Sequence, residues 1–430
     1  MKPMTRAATA AVLALLAGID RAPVRADAPN VYAIRGARIV TAAGAPLASG
    51  TVVIRGGAID AVGAAVAVPA EAEVIDGKGL TVYPGLIDLG DTRAADQPIP
   101  QTPQNARTTA ELERWKRGQI LKPQARAADA VKVDEADLTR LASTGITSVL
   151  ALPSGDVITG QSALVNVAAP PDHPQIGNIA EGRRGLVVVK TPVALHVTFP
   201  ERPRAGGNAY PVSLMGVIAF VRQSFLDAQH YAAAHEHDDP ALEAMGPAIE
   251  RKLPVAFEAN AAREILRALR MAKELRLDPI VIGGLEANEV AADLKAQNTR
   301  VIYSLNYPRR PRTLAPDADE TVDVLRSRAN APKVPGELAR AGVTFAFASH
   351  GLTDAKDFVR NAAKAVKAGL DEDAAVRAMT SGAASIAGVG DRLGSIEKGK
   401  IANLIVTDGN LFDDKTIITR VFVEGRLVSR

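Results

Sequence analysis

Val74-Ile75-Asp76-Gly77-Lys78-Gly79-Leu80-Thr81-Val82-Tyr83-Pro84-Gly85-Leu86-Ile87-Asp88 decides how the chain is organised. A short strand runs into a glycine turn, and an apolar run then resumes and breaks at Pro84-Gly85. The text before it is of the same kind: Val31–Arg35 before Gly36, Arg38–Thr41 before Gly44, Thr51–Arg55 before Gly56-Gly57, and Ala58–Val62 before Gly63. Strands this short cannot bury a core alone, so this half-sheet needs a partner. The partner stands at the far end of the chain, where Leu404–Thr407, Ile417–Val423 and Arg426–Val428 again read as strands and turns.

Between the two ends, strands alternate with amphipathic helices, the pattern of a parallel α/β fold. Pro254–Glu258 precedes a helix over Ala261–Leu275, with Ile265, Leu266, Leu269 and Ala272 on one face. Pro279–Ile282 precedes Ala287–Ala296, and Arg300–Leu305 and Thr344–Ser349 precede helices at Ala355–Lys367 and Glu372–Ala387. Such a run between two halves of a small sheet predicts a closed (β/α)8 barrel carrying a terminal β-domain. Residues 92–135 and 200–252 interrupt the rhythm as long polar excursions.

The 430 residues carry 51 Lys+Arg and 48 Asp+Glu, a net charge of +3. Lys2, Arg6, Arg21 and Arg25 against Asp20 place the whole excess in residues 1–26. A charged start, an apolar run over Ala7–Ile19 and the small-residue site Val24-Arg25-Ala26 read as an export leader. That run falls short of the roughly 20 apolar residues a bilayer-spanning helix needs. The expected location is therefore periplasmic or secreted, with no membrane attachment once the leader is removed. With 47% hydrophobic residues the chain has enough apolar material for a core without disulfides. The absence of cysteine excludes thiolate zinc sites, iron–sulfur clusters and a cysteine nucleophile. A neutral remainder with 4% aromatics excludes a general nucleic-acid surface.

Three segments carry a family resemblance. Val74–Gly79 with Tyr83–Asp88 resembles the start of the barrel in amidohydrolase-superfamily enzymes, especially the imidazolonepropionase-like group. Gly394–Val406 is similar to the segment where that family leaves its barrel, and Val421–Arg426 to its closing strand and turn. The resemblance covers roughly residues 30–430 and implies an α/β fold in three parts. After a signal peptide at 1–26, residues 27–83 and 391–430 would form a composite β-sandwich and residues 84–390 a TIM-type barrel. It also implies a hydrolase of carbon–nitrogen (non-peptide) bonds, such as those of cyclic amides, using water activated by one or two divalent metals.

The ligands that the resemblance implies are missing. Gly90 and Thr92 stand where the family has a His-x-His pair. Strand five ends Phe257-Glu258-Ala259-Asn260 and strand six Ile282-Gly283-Gly284-Leu285-Glu286, without histidine. Strand eight ends Ala348-Ser349-His350-Gly351, with no carboxylate before Asp354, and no lysine fills the bridging role. Zinc needs three or four donors in fixed geometry, so no conventional zinc site is expected. Strand ends of a barrel share one rim, which would gather Asp88, Asp91, Glu258, Glu286, Asn306 and His350. His350 and Asp91 are the catalytic candidates; Asp88, Glu258, Glu286 and Asn306 are the pocket candidates. Together they would serve acid–base chemistry or hold a hard divalent cation through carboxylates. His235-Glu236-His237 reads as a solvated cluster, Lys190 and His196 as strand-face residues, and His173 as a turn residue.

Two functions follow as expectations. One is a superfamily hydrolase with a rewired site that takes a small molecule at the barrel mouth. The other is a catalytically silent relative serving as a ligand-binding or assembly subunit, as a homo-oligomer or beside an active paralogue.

Overall fold

The structure is a computed structural model that describes residues 31–91, 108–131, 135–167, 187–201, 203, 210–234, 238–315 and 317–429. The leader reading over 1–26 lies outside them. So do His173, Thr92 and the His235-Glu236-His237 run.

The N-terminal strands are β1 (Val31–Ile39), β2 (Leu47–Arg55), β3 (Ala58–Gly63), β4 (Glu73–Asp76) and β5 (Thr81–Pro84). The C-terminal ones, which we number after the barrel strands, are β16 (Leu404–Thr407), β17 (Ile418–Val423) and β18 (Arg426–Ser429). All eight join one sheet in the order β18-β17-β16-β5-β1-β2-β3, with β4 beside β1. β1 is one strand although the sequence predicts a break at Gly36. That glycine takes φ +76° and makes a bulge, seen as a register shift against β2 between Arg35 and Ala37. Tyr32, Ile34 and Ile39 of β1 pack with Leu404, Val406 and Phe422 in one cluster, where the Tyr32 and Phe422 rings meet edge-on at 5.2 Å. Neither terminal half buries these faces alone.

The chain crosses into the barrel at Gly85. Pro84, the last residue of β5, pairs with Leu404, and Gly85 N donates to Asn403 O at 2.7 Å. Asn403 also ties the two parts together through its side chain. Its Nδ2 donates to Asn166 Oδ1 (3.0 Å) and Ser148 Oγ (3.2 Å), while Asn166 Nδ2 donates to Glu424 Oε1 at 2.7 Å. A Cβ on Gly85 would lie 2.3 Å from Thr147 Oγ1 and 2.5 Å from its Cγ2, so the crossing requires the bare backbone.

Around the barrel run β6 (Leu86–Asp91), β7 (Ile146–Ala151), β8 (Ile158–Gln161), β9 (Ala163–Asn166), β10 (Val187–Lys190), β11 (Leu195–Val197), β12 (Val255–Ala259), β13 (Pro279–Gly283), β14 (Arg300–Ser304) and β15 (Phe345–Ala348). One sheet reads β10-β9-β7-β6 and the other β15-β14-β13-β12-β11-β8. β8 and β9 are one segment bent at Ser162. Facing it, β10 and β11 are likewise two pieces separated by a bend. Ser162 N donates to Ala194 O and Val193 N to Ser162 O, which joins the bends and links the sheets. The fold is thus the expected α/β barrel with a terminal β region, but distorted: the β8–β9 segment runs antiparallel to its neighbours. The cause is local. Residues 152–162 carry no helix, and without a crossover helix the next strand can only turn back on its predecessor.

The ring closes where β15 lies alongside β6. Gly90 makes this contact feasible, since a Cβ there would sit 2.7 Å from the Ala348 methyl. His350 N donates to Gly90 O at 3.0 Å. The fully buried Asp88 accepts from Ser349 N at 2.8 Å and from Gly90 N at 3.1 Å. One carboxylate therefore joins the first and last barrel strands.

Helices cover the outside. Ala262–Glu274 buries Ile265, Ala268, Leu269, Met271 and Ala272, and leaves Leu266 half-buried. The helix predicted over 372–387 is two, Glu372–Met379 and Ser381–Ala387. They break at Thr380, whose Oγ1 donates to Val376 O at 2.6 Å.

Two stability tests follow. Gly85→Ala costs about 1–3 kcal/mol in denaturant unfolding through overpacking against Thr147, and adding Thr147→Ala recovers part of that loss. Asp88→Ala leaves two buried N–H groups unsatisfied and lowers stability by about 1–3 kcal/mol for each, whereas Asp88→Asn, which keeps one acceptor oxygen, loses less.

Candidate active site

The side chains that alternate inward along the strands are apolar: Ile87, Leu89, Leu150, Ile280, Ile282, Ile302 and Ala346 share one cluster with Ala256 and Ala348. Glu258, two residues beyond Ala256, continues this inward series at the end of β12. His350 follows β15, and its Nε2 lies 3.6 Å from Glu258 Oε1. Their side chains are 24% and 45% exposed respectively, so the pair stands between the barrel interior and solvent. At 3.6 Å this is ion-pair contact, longer than a good hydrogen bond. The imidazole nevertheless holds the Glu258 carboxyl below the usual carboxylate range, outweighing the opposing effect of burial.

Backbone geometry fixes His350. Its φ is +37°, an unusual value for a residue with a side chain, and Gly351 follows at φ +88°. Asp88 anchors the preceding Ser349, and Ser349 Oγ donates to Gly90 O at 3.2 Å. Asn306, just beyond β14, donates from Nδ2 to His350 O at 3.3 Å. The turn that carries His350 is held from both neighbouring strands.

Four candidates from the sequence therefore meet: Glu258 and His350 directly, with Asp88 and Asn306 supporting the His350 turn. Glu286 is engaged elsewhere. Its Oε2 accepts from Ala262 N at 2.8 Å, while Glu264 accepts from Asn260 N and Ala261 N. Both carboxylates satisfy free N–H groups at the start of helix Ala262–Glu274. Asp91 is the last residue of β6 and pairs along the backbone with Ala151.

His196 is the residue that sequence reasoning passed over. Leu195 and Val197 pack outward among helix residues such as Phe225 and Met271, so the intervening His196 faces the barrel interior. It is 6% exposed and pairs in register with Ala256, two residues below Glu258. Burial pushes its imidazole down to about 4; the charge of Glu258 pulls the other way and His350 adds to the lowering. The alternation along β11 was the available signal, but it does not say which face is the barrel interior.

Lys190 is structural. Its Nζ donates to Ala387 O and Gly388 O at the end of helix Ser381–Ala387. His230 is exposed on helix Leu214–Ala234. A cavity of about 420 Å³ lined by Lys356, Arg360, Asp413 and Asp414 contains none of the mouth residues.

Among the described residues, no group of three or more His, Asp or Glu could hold a metal ion, and the chain has no cysteine. Glu258, His350 and His196 come nearest to such a set, yet they supply one carboxylate and two imidazoles without the clustering a divalent ion requires. The donors among the described residues do not fit a catalytic metal.

Comparison with known proteins agrees with this architecture. The pattern that defines the amidohydrolase family matches residues 239–428. The amidohydrolase tasK of Hapsidospora irregularis is 24% identical over 378 residues, which cover 83% of this chain and 37% of tasK. The chain thus spans little more than a third of that relative's length. An amidohydrolase of Thermotoga maritima has the same fold with a TM-score of 0.75 at 23% identity, covering 93% of this chain and all of that one. A putative prolidase from Bifidobacterium longum follows at TM-score 0.57 and 19% identity, covering 94% and 95%. The family pattern thus matches the second half of the chain, and the fold is shared with the Thermotoga maritima amidohydrolase over nearly the whole length.

Proposed function

We propose that this chain hydrolyses a carbon–nitrogen (non-peptide) bond of a small amide at the barrel mouth, with Glu258 and His350 as an acid–base pair and no resident metal. The contact between His350 Nε2 and Glu258 Oε1 carries this reading. It sets an anionic carboxylate and an imidazole side by side, partly open to solvent, above an apolar barrel. Glu258 takes a proton from water as the water oxygen attacks the amide carbon. His350, in its protonated form, gives a proton to the nitrogen as the C–N bond breaks. Low polarity beneath the pair strengthens its electrostatics. Asp91 at the rim is an auxiliary base; Asp88 and Asn306 hold the His350 turn, and Glu286 shapes the neighbouring loop. Cyclic amides of the kind handled by imidazolonepropionase-like enzymes are the substrate class.

The proposal takes residues 84–390 as the catalytic barrel and 27–83 with 391–430 as its β-sandwich. It also takes the leader at 1–26 to direct the protein to the periplasm or beyond. No helix among the described residues is long and apolar enough to cross a membrane.

A second reading is a silent relative that binds a small molecule or assembles with itself or an active paralogue. It is favoured by the lack of a metal-holding group among the described residues, and by the commitment of Asp88 and Glu286 to backbone N–H groups.

A screen of cyclic amides with the purified chain separates the two. The hydrolase reading expects turnover that survives chelation and falls by about 100-fold or more in Glu258→Gln and in His350→Asn. Binding without turnover in the wild-type chain would establish the silent reading. Turnover abolished by chelation would contradict the metal-free site.

A further inference from the structure

Resting on that reading of the mouth, we infer that His196 is a third member of the site, a buried imidazole whose Nε2 hydrogen-bonds the innermost part of a bound amide. His196 points into the barrel, and its Nε2 is buried with no hydrogen-bond partner among the described residues. The neighbouring strands offer none: its register partners are Ala256 on β12, with only a methyl group, and Gly160 on β8, with no side chain. Buried polar atoms are almost always paired, and an unpaired one facing a functional mouth needs an explanation. His350 presents a second case, since its Nδ1 is also buried and unpartnered among the described residues. The His196 and His350 rings each carry a buried nitrogen without a partner among the described residues, and the charge of Glu258 acts on both rings.

The titratable groups facing His196 are Glu258 and His350, and their opposing influences leave burial dominant. His196 is therefore neutral at ordinary pH, with one nitrogen donating and one accepting. Glu258 as an anion only accepts. A neutral amide satisfies this set, giving an N–H to the carboxylate and using its own N–H or carbonyl at the imidazole. A carboxylate ligand would meet the repulsion of Glu258, and a bare hydrocarbon would leave the nitrogens unpaired. Because Ala256 lies two residues below Glu258 on the strand, His196 meets the part of the ligand farthest from solvent. It binds and orients the ligand while Glu258 and His350 act on it.

The test is nuclear magnetic resonance of the full chain labelled with 15N-histidine, with 2-pyrrolidinone as the probe and His196→Gln to assign the signals. The expected result is a His196 ring that stays neutral from roughly pH 8 to 5 and whose Nε2 signal moves saturably as the lactam is added. In steady-state assays His196→Gln, which keeps a polar tip, then raises KM more than it lowers kcat. A His196 Nε2 signal that the lactam leaves unmoved overturns the inference, even if Glu258→Gln abolishes turnover and the hydrolase reading stands. A shifted Nε2 signal without turnover upholds the inference and overturns the hydrolase reading.

Discussion

The buried carboxylate of Asp88 is the contact on which the rest of the barrel mouth depends. It sits on the first barrel strand and accepts N–H groups from Gly90 on its own strand and from Ser349 after the last one. Closing a ring of strands requires that its two ends meet, and here they meet through backbone and the side chains of Asp88 and Ser349. Gly90 allows the close approach, and the His350 N to Gly90 O bond completes it. The same closure leaves His350 at φ +37° with its ring turned toward Glu258. Barrel closure and site geometry are thus one constraint.

The mouth that results has an electrostatic logic of its own. Isoleucines and alanines fill the interior, so the polar side chains that reach it act at low dielectric. Glu258 is held anionic by the adjacent imidazole, while burial keeps His196 neutral. Acid works against both arrangements. The depressed His196 contributes stability that is complete above pH 6.5 and lost as pH falls toward about 4, and the depressed Glu258 adds a loss in the acid range. A carboxylate and two imidazoles at different depths suit proton transfer and hydrogen bonding better than they suit a metal ion, which asks for donors at one common distance.

Much of the fold was legible in the sequence, because its markers are local. Glycine turns, the Pro84-Gly85 break and the apolar faces of helices such as Ala262–Glu274 each leave a pattern within a few residues. What escaped depends on distant partners. Gly36 looks like a strand end but is a bulge, a distinction made only by β2 across from it. The antiparallel β8–β9 segment has the same composition as a parallel strand, and only the missing crossover helix betrays it. The site divides along the same line. Glu258 and His350 could be placed because strand ends share a rim. Glu286 has an equivalent position, yet its carboxylate turns to the helix N-terminus beside it. His196 was hidden by alternation, which shows two faces and not which of them is inside.

Elemental mass spectrometry of the full-length chain, purified after growth with added zinc and manganese, tests the metal-free mouth most directly. The predicted result is far less than one metal ion per chain, with the same residue of metal in Glu258→Gln and His350→Asn. One tightly held divalent ion per chain, lost in those two variants, would contradict it and return the protein to metal-dependent chemistry.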